Sequence, residues 1–193
     1  MHISKHYTLG FFCLLPLIIT QILITLPKCQ ADEPVFQSKH CTIRYDDPDQ
    51  LENFARKIRP SAINRTLNQL FLGKTSQSDE TKLGEFLDEL FKRVQLVLDM
   101  PMPKLNVEIK IHRDINEVHT MYTQLTGRSS DAPSFYWKKT NTIHIQSDSL
   151  TIGMLAHEMG HAILDHYFAI QPPEKIAEML CQYVDKEITS GHF

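Results

Sequence analysis

The chain has 193 residues, 42% of them hydrophobic and 22% charged, with a formal net charge of −3. That balance describes a folded globular chain and argues against a disordered one. No basic cluster occurs after residue 31, which removes nucleic acids from the expected partners.

The opening residues are polar and weakly basic, Leu9 to Leu26 are strongly apolar, and Cys29-Gln30-Ala31 puts small residues before Asp32. This predicts a secretory signal peptide, 1–31, cleaved after Ala31, or an uncleaved anchor, since the apolar run approaches spanning length. Cys29 lacks a lipobox because Leu26-Pro27-Lys28 precedes it. In either case the remainder is expected to be exported, as a periplasmic or secreted protein. Removing 1–31 takes away Lys5 and Lys28 and no acid, so the charge becomes more negative by two. It leaves roughly 160 residues, 32–193, enough for one domain with a real core and too few for two.

Residues 32–39 are expected to be extended, and Cys41 to Tyr45 alternates as a short strand. Pro48 and Asp49 open a helix with Leu51, Phe54, Ala55 and Ile58 on its apolar face. Ile63, Leu67, Leu70 and Phe71 suggest another helix, ended by Gly73 and followed by a polar linker to Asp79. A long helix over 80–98 carries Leu83, Phe86, Leu87, Leu90, Phe91 and Val94 at helical spacing, with Pro101 beyond its end. Leu105, Val107, Ile109 and Ile111 alternate as a strand. Asp114 caps a helix to about Leu125 that Gly127 ends. Strands over 132–137 and 142–146, joined by Lys138-Lys139-Thr140-Asn141, feed a helix over about 149–168 whose caps are sought among Ser147, Asp148 and Ser149. After the break at Pro172-Pro173 a last helix runs toward Gly191.

His157-Glu158-Met159-Gly160-His161 lies inside the helix over 149–168. Residues four apart share a helix face, so both imidazoles point the same way. Two neutral nitrogens so placed can hold zinc, and Glu158 is then positioned to take a proton from a water that the metal activates. A catalytic zinc ordinarily uses three protein ligands, so a third must come from elsewhere. Glu178, one turn into the last helix, is the expected third ligand. Its rival Glu174 stands directly after Pro-Pro, where a carboxylate faces the helix dipole, and Cys181 is a lesser rival. Cys41 and Cys181 can pair in an exported protein or remain buried thiols. His112, His119, His144 and His166 are expected to be core residues with hydrogen bonds.

The stretch His157-Glu158-Met159-Gly160-His161-Ala162-Ile163-Leu164-Asp165 resembles the active-site helix of gluzincins, the thermolysin-like zinc peptidases. Pro173-Glu174-Lys175-Ile176-Ala177-Glu178-Met179-Leu180 resembles their glutamate helix. Only about fifteen residues follow Glu178, so the chain is more similar to the single-domain miniature gluzincins than to members with a large second domain. The specific resemblance covers about 132–184. It implies an α+β, zincin-like single domain: a small mixed sheet, an active-site HExxH helix and a following glutamate helix. It also implies one zinc ion per chain on His157, His161 and Glu178, with Glu158 as general base and a peptide or protein as substrate. By the same resemblance, strand 132–137 holds extended substrate by backbone pairing.

Two departures stand out. Ala177 occupies a place where many gluzincins have Asn, and Gln182 one where an Asp commonly orients a zinc-bound His, leaving Asp165 or Asp185 to supply that carboxylate. Tyr136, Tyr167 and Tyr183 are the alternatives for a group that stabilises developing negative charge. The competing function is a non-catalytic zinc-binding domain that binds a peptide or partner, against which the intact Glu158 argues.

Overall fold

Alternation of apolar and polar residues along five short strands builds a mixed sheet with one greasy and one polar face. The computed structural model describes residues 35–58 and 79–190. The leader expected over 1–31 and the helix expected before Gly73 lie outside the described residues. The strands are β1 Val35–Gln37, β2 Cys41–Arg44, β3 Val107–His112, β4 Ser134–Trp137 and β5 Thr142–Gln146. Their order across the sheet is β1-β2-β3-β5-β4. The outer pairs β1/β2 and β4/β5 are antiparallel, while β2/β3 and β3/β5 are parallel.

Register sorts the side chains. Cys41 opposes Val107, Ile43 opposes Ile109, Ile109 opposes Ile143 and Ile111 opposes Ile145. These line the greasy face, and Ser134 and Tyr136 join it opposite Ile145 and Ile143. The other face carries Arg44, Glu108, Lys110, His112, His144 and Phe135.

The helices are α1 Pro48–Ile58, α2 Asp79–Leu98, α3 Ile115–Thr126, α4 Ile152–Tyr167 and α5 Glu174–Ser190. All belong to one compact α+β unit, Asp32–Phe193. Leu87, Leu90, Phe91 and Val94 of α2 and Leu155, Ala156, Met159 and Ile163 of α4 form one buried cluster with the strand isoleucines. Each of the larger of these side chains contributes roughly 1.5–3 kcal/mol by burial. Val184 and Ile188 bring α5 into the same cluster.

Local chemistry accounts for most element ends. Asp114 accepts the N–H groups of Asn116 and Glu117 at 2.8 and 3.0 Å, starting α3, and Gly127 ends it at φ 71°, which glycine adopts without strain. At α1 the Gln50 side chain reaches back to the N–H groups of Asp46 and Asp47 at 2.7 and 3.3 Å.

The start of α4 differs from expectation. Ser147–Ser149 forms a single 3-10 turn, Leu150 is extended, and Thr151 is the cap, its hydroxyl accepting Met154 N–H at 3.1 Å. The earlier polar residues are engaged by α1: Asn53 Nδ2 donates to Ser147 Oγ at 2.8 Å and to Asp148 Oδ1 at 2.7 Å, and Lys57 Nζ donates to the Asp148 carbonyl at 2.8 Å.

Of the two alternatives for the cysteines, the structure has the buried thiols: Cys41 and Cys181 are both free, with no disulfide between them. Of the four histidines expected in the core, His112 and His144 are buried and bond to each other, Nε2 to Nδ1 at 3.0 Å. His166 is exposed on the last turn of α4, and His119 buries an Nε2 without a hydrogen-bond partner.

Candidate metal centre

Helix α4 is buried along most of its length, but His157 and His161 look out of the packed face, with side chains 17% and 26% exposed. Their Nε2 atoms face one another at 3.2 Å. Two imidazole nitrogens aimed at each other need a proton or a cation between them, since two lone pairs repel. Helix α5 packs back across α4 and brings Glu178 to this point: Oε1 lies 3.6 Å from His157 Nε2 and Oε2 lies 3.4 Å from His161 Nε2. Taking one donor atom from each of the three residues, all lie within 4.8 Å of one another.

The donor set fits zinc in chemistry and in size. Imidazole nitrogen and carboxylate oxygen are zinc's ordinary ligands, and a tetrahedral ion with bonds of about 2.0–2.1 Å holds its donors about 3.3 Å apart. The separations between these side chains fall around that value. His161 also has the right protonation: burial, then the nearby His157, lowers its pKa, outweighing Glu178. A neutral ring keeps the lone pair that a metal takes. Glu178 is 46% exposed, so the group opens to solvent on its side. Among the described residues no fourth His, Cys, Asp or Glu joins the three.

Glu174 lies outside the group, exposed in the first turn of α5. Cys181 sits beneath the site, fully buried, its thiol pushed far up in pKa by burial and then by Glu158 and Glu178. It packs between the two helices, against Gly160 of α4.

Glu158 faces the sheet. It is only 6% exposed, and Ser134 Oγ donates to its Oε1 at 2.7 Å. The Tyr136 backbone N–H donates to the same carboxyl group. Burial raises the Glu158 pKa to about 7; these two donors pull it down and the charge of Glu178 pushes it up.

The strand makes this possible. Gln146 N–H bonds to the Pro133 carbonyl, so Pro133, Phe135 and Trp137 direct their backbone groups at β5, while those of Ser134 and Tyr136 face the outer edge. Glu158 therefore occupies one donor of an edge strand. Ser134 was not singled out from the sequence. Its position depends on which strand face meets α4, and a serine at the start of a strand carries no local mark of that.

The carboxylates expected to orient an imidazole do other things. Asp165 Oδ2 accepts the Tyr136 hydroxyl at 3.2 Å, and Asp185 Oδ1 accepts the Thr189 hydroxyl at 3.0 Å. Gln182 serves the glutamate instead, its Nε2 donating to Glu178 Oε1 at 3.1 Å. Of the three tyrosines, Tyr136 gives its hydroxyl to Asp165 and Asn141, while Tyr167 and Tyr183 are about half exposed, at 46% and 50%.

The chain matches no protein-family model, no curated protein and no solved structure. Its function is therefore argued from this geometry.

Proposed function

We propose that this chain is an exported zinc-dependent peptidase of gluzincin type, with a zincin-like fold, that hydrolyses peptide bonds with Glu158 as general base. The observation that carries the proposal is the convergence of His157 and His161 from α4 and Glu178 from α5 on one point, with the buried carboxyl group of Glu158 next to His157 in the chain. His157, His161 and Glu178 would hold the zinc, which would supply a Lewis acid to acidify water and polarise a carbonyl.

The remaining chemistry belongs to the chain. The Glu158 carboxylate takes a proton from the attacking water and gives it back to the leaving amine. Ser134 and the Tyr136 N–H restrict where the Glu158 carboxylate points, so little orientation remains to be lost during reaction. Strand β4 ends the sheet, and the outward backbone groups that Glu158 does not use suit an extended peptide laid along the edge. Export rests on the apolar segment Leu9 to Leu26 and the Ala31 cleavage pattern.

Metal content and cleavage of a mixed peptide library test this together. Wild type and Glu158→Gln are each expected to carry one zinc, while the amide variant loses hydrolysis by about 10²-fold or more, since it cannot accept the proton. A zinc-loaded wild type that cleaves nothing across the library overturns the peptidase reading and leaves a metal-binding domain for a peptide or partner. A Glu158→Gln variant as active as wild type overturns the base assignment.

A further inference from the structure

Gly153 and Gly160 are seven residues apart on α4, two turns, and so lie on one side of it. Helix α5 touches both. A β-carbon at Gly160 would stand 3.1 Å from Cys181 Sγ and 3.7 Å from Cys181 Cα. At Gly153 it would overlap Asp185 Oδ1 outright, with Thr189 Oγ at 2.6 Å and Asp185 Cγ at 2.9 Å. The Asp185 carboxylate is thus laid across the backbone of α4, and the Thr189 hydroxyl holds it there at 3.0 Å. The place suits a charge: Gly153 is in the first turn of α4, where free N–H groups favour an anion, and that turn contains no acid of its own.

Cys181 and Asp185 are one turn apart, and Glu178 comes three residues before Cys181. The other buried contacts of α5, through Val184 and Ile188, are apolar and non-directional. Such contacts select which face of α5 is buried, and the Gly153–Asp185 contact adds a fixed stop along the axis. A slide of one residue's rise would carry Glu178 about 1.5 Å along the axis. That movement takes its carboxylate away from both imidazoles.

We propose that Gly153 and Asp185 are positioning residues for the third metal ligand, their contact setting the register of α5 on α4 that holds Glu178 against His157 and His161. The inference rests on the metal-centre reading and adds to it the device that assembles the centre from two helices.

Zinc affinity, measured on the full chain by competition with a chromophoric chelator, tests it through a cycle with Glu178→Ala. Gly153→Ala is expected to weaken zinc binding by about tenfold or more. In the Glu178→Ala background the same change is expected to alter affinity less than about twofold, because the ligand it misplaces is already gone. Gly153→Ala/Asp185→Ala/Thr189→Ala should return to the affinity of Asp185→Ala/Thr189→Ala, since removing both the carboxylate and the hydroxyl makes room for the methyl group.

An unchanged affinity in Gly153→Ala overturns the proposal, and so does an equal loss with and without Glu178, which marks general destabilisation. If Gly153→Ala does not fold, Asp185→Ala alone runs the same cycle without adding an atom. Its expected loss is a few-fold and disappears in the Glu178→Ala background; no loss, or a loss that persists there, overturns the proposal. A wild type that binds no zinc overturns the metal-centre reading and this inference with it.

Discussion

His144 and Glu158 are two buried titratable groups whose burial acts on stability in opposite directions. Burial, then the nearby His112 and Lys110, lowers the His144 pKa from 6.5 to about 4. Between those values the unfolded chain takes up a proton that the native pair refuses, so acidification costs about 3 kcal/mol from this group. Glu158 runs the other way in the metal-free protein. Its raised pKa means that the folded state holds a proton between pH 4.5 and about 7 that the unfolded state releases, so acidification stabilises. In metal-free wild type the two contributions offset each other. Denaturant midpoints at pH 7 and 4.5 are expected to show His144→Gln gaining stability on acidification relative to wild type and Glu158→Gln losing it. Parallel pH profiles for all three proteins would refute both assignments. At this scale sequence reasoning has a clear boundary. His157 and His161 can be read as a pair because their spacing alone puts them on one face, whereas the His112–His144 contact and the Ser134–Glu158 bond join separate elements and leave no local trace.

Helices were the most legible elements, because capping and apolar period act within a few residues. Asp114 and Gly127 bound α3 as their chemistry requires, and α2 covers the periodic apolar run it was expected to cover. The start of α4 misled, since Ser147 and Asp148 are good caps in isolation but bond to α1 instead. The expected carboxylate partners of the imidazoles failed for a related reason: Asp165 and Asp185 are committed to Tyr136 and Thr189. Within α5, Glu174 and Glu178 are one turn apart, yet only Glu178 reaches the imidazoles. Glu178→Ala is therefore expected to lose most zinc affinity. Glu174→Ala should act only through the helix start, on the order of 0.5 kcal/mol of stability. Chelator competition and thermal melting on both variants check the ranking, and the reverse order would transfer the ligand role to Glu174.

At the scale of the molecule, the strand order β1-β2-β3-β5-β4 was beyond local patterns, since parallel neighbours such as Cys41 and Val107 are far apart in sequence. That order puts β4 at the edge, where Ser134 bonds to Glu158 of α4 and so joins the sheet to the helix of the candidate metal centre. The centre in turn spans α4 and α5, whose buried residues belong to the single core. An ion held between them must then stabilise the whole domain rather than one loop. Ligand present at about 100 times its dissociation constant contributes about 2.7 kcal/mol to folding. For a domain of this size each kilocalorie corresponds to about 2–4 °C, so zinc should raise the melting temperature by roughly 5–11 °C over the metal-free protein. Calorimetry of wild type, His157→Ala and Glu158→Gln, each with and without zinc, gives the test. The shift is expected to vanish in His157→Ala and to persist in Glu158→Gln, because only the first removes a ligand. A wild type whose melting point ignores zinc would mean that the three side chains do not hold the ion in the folded state.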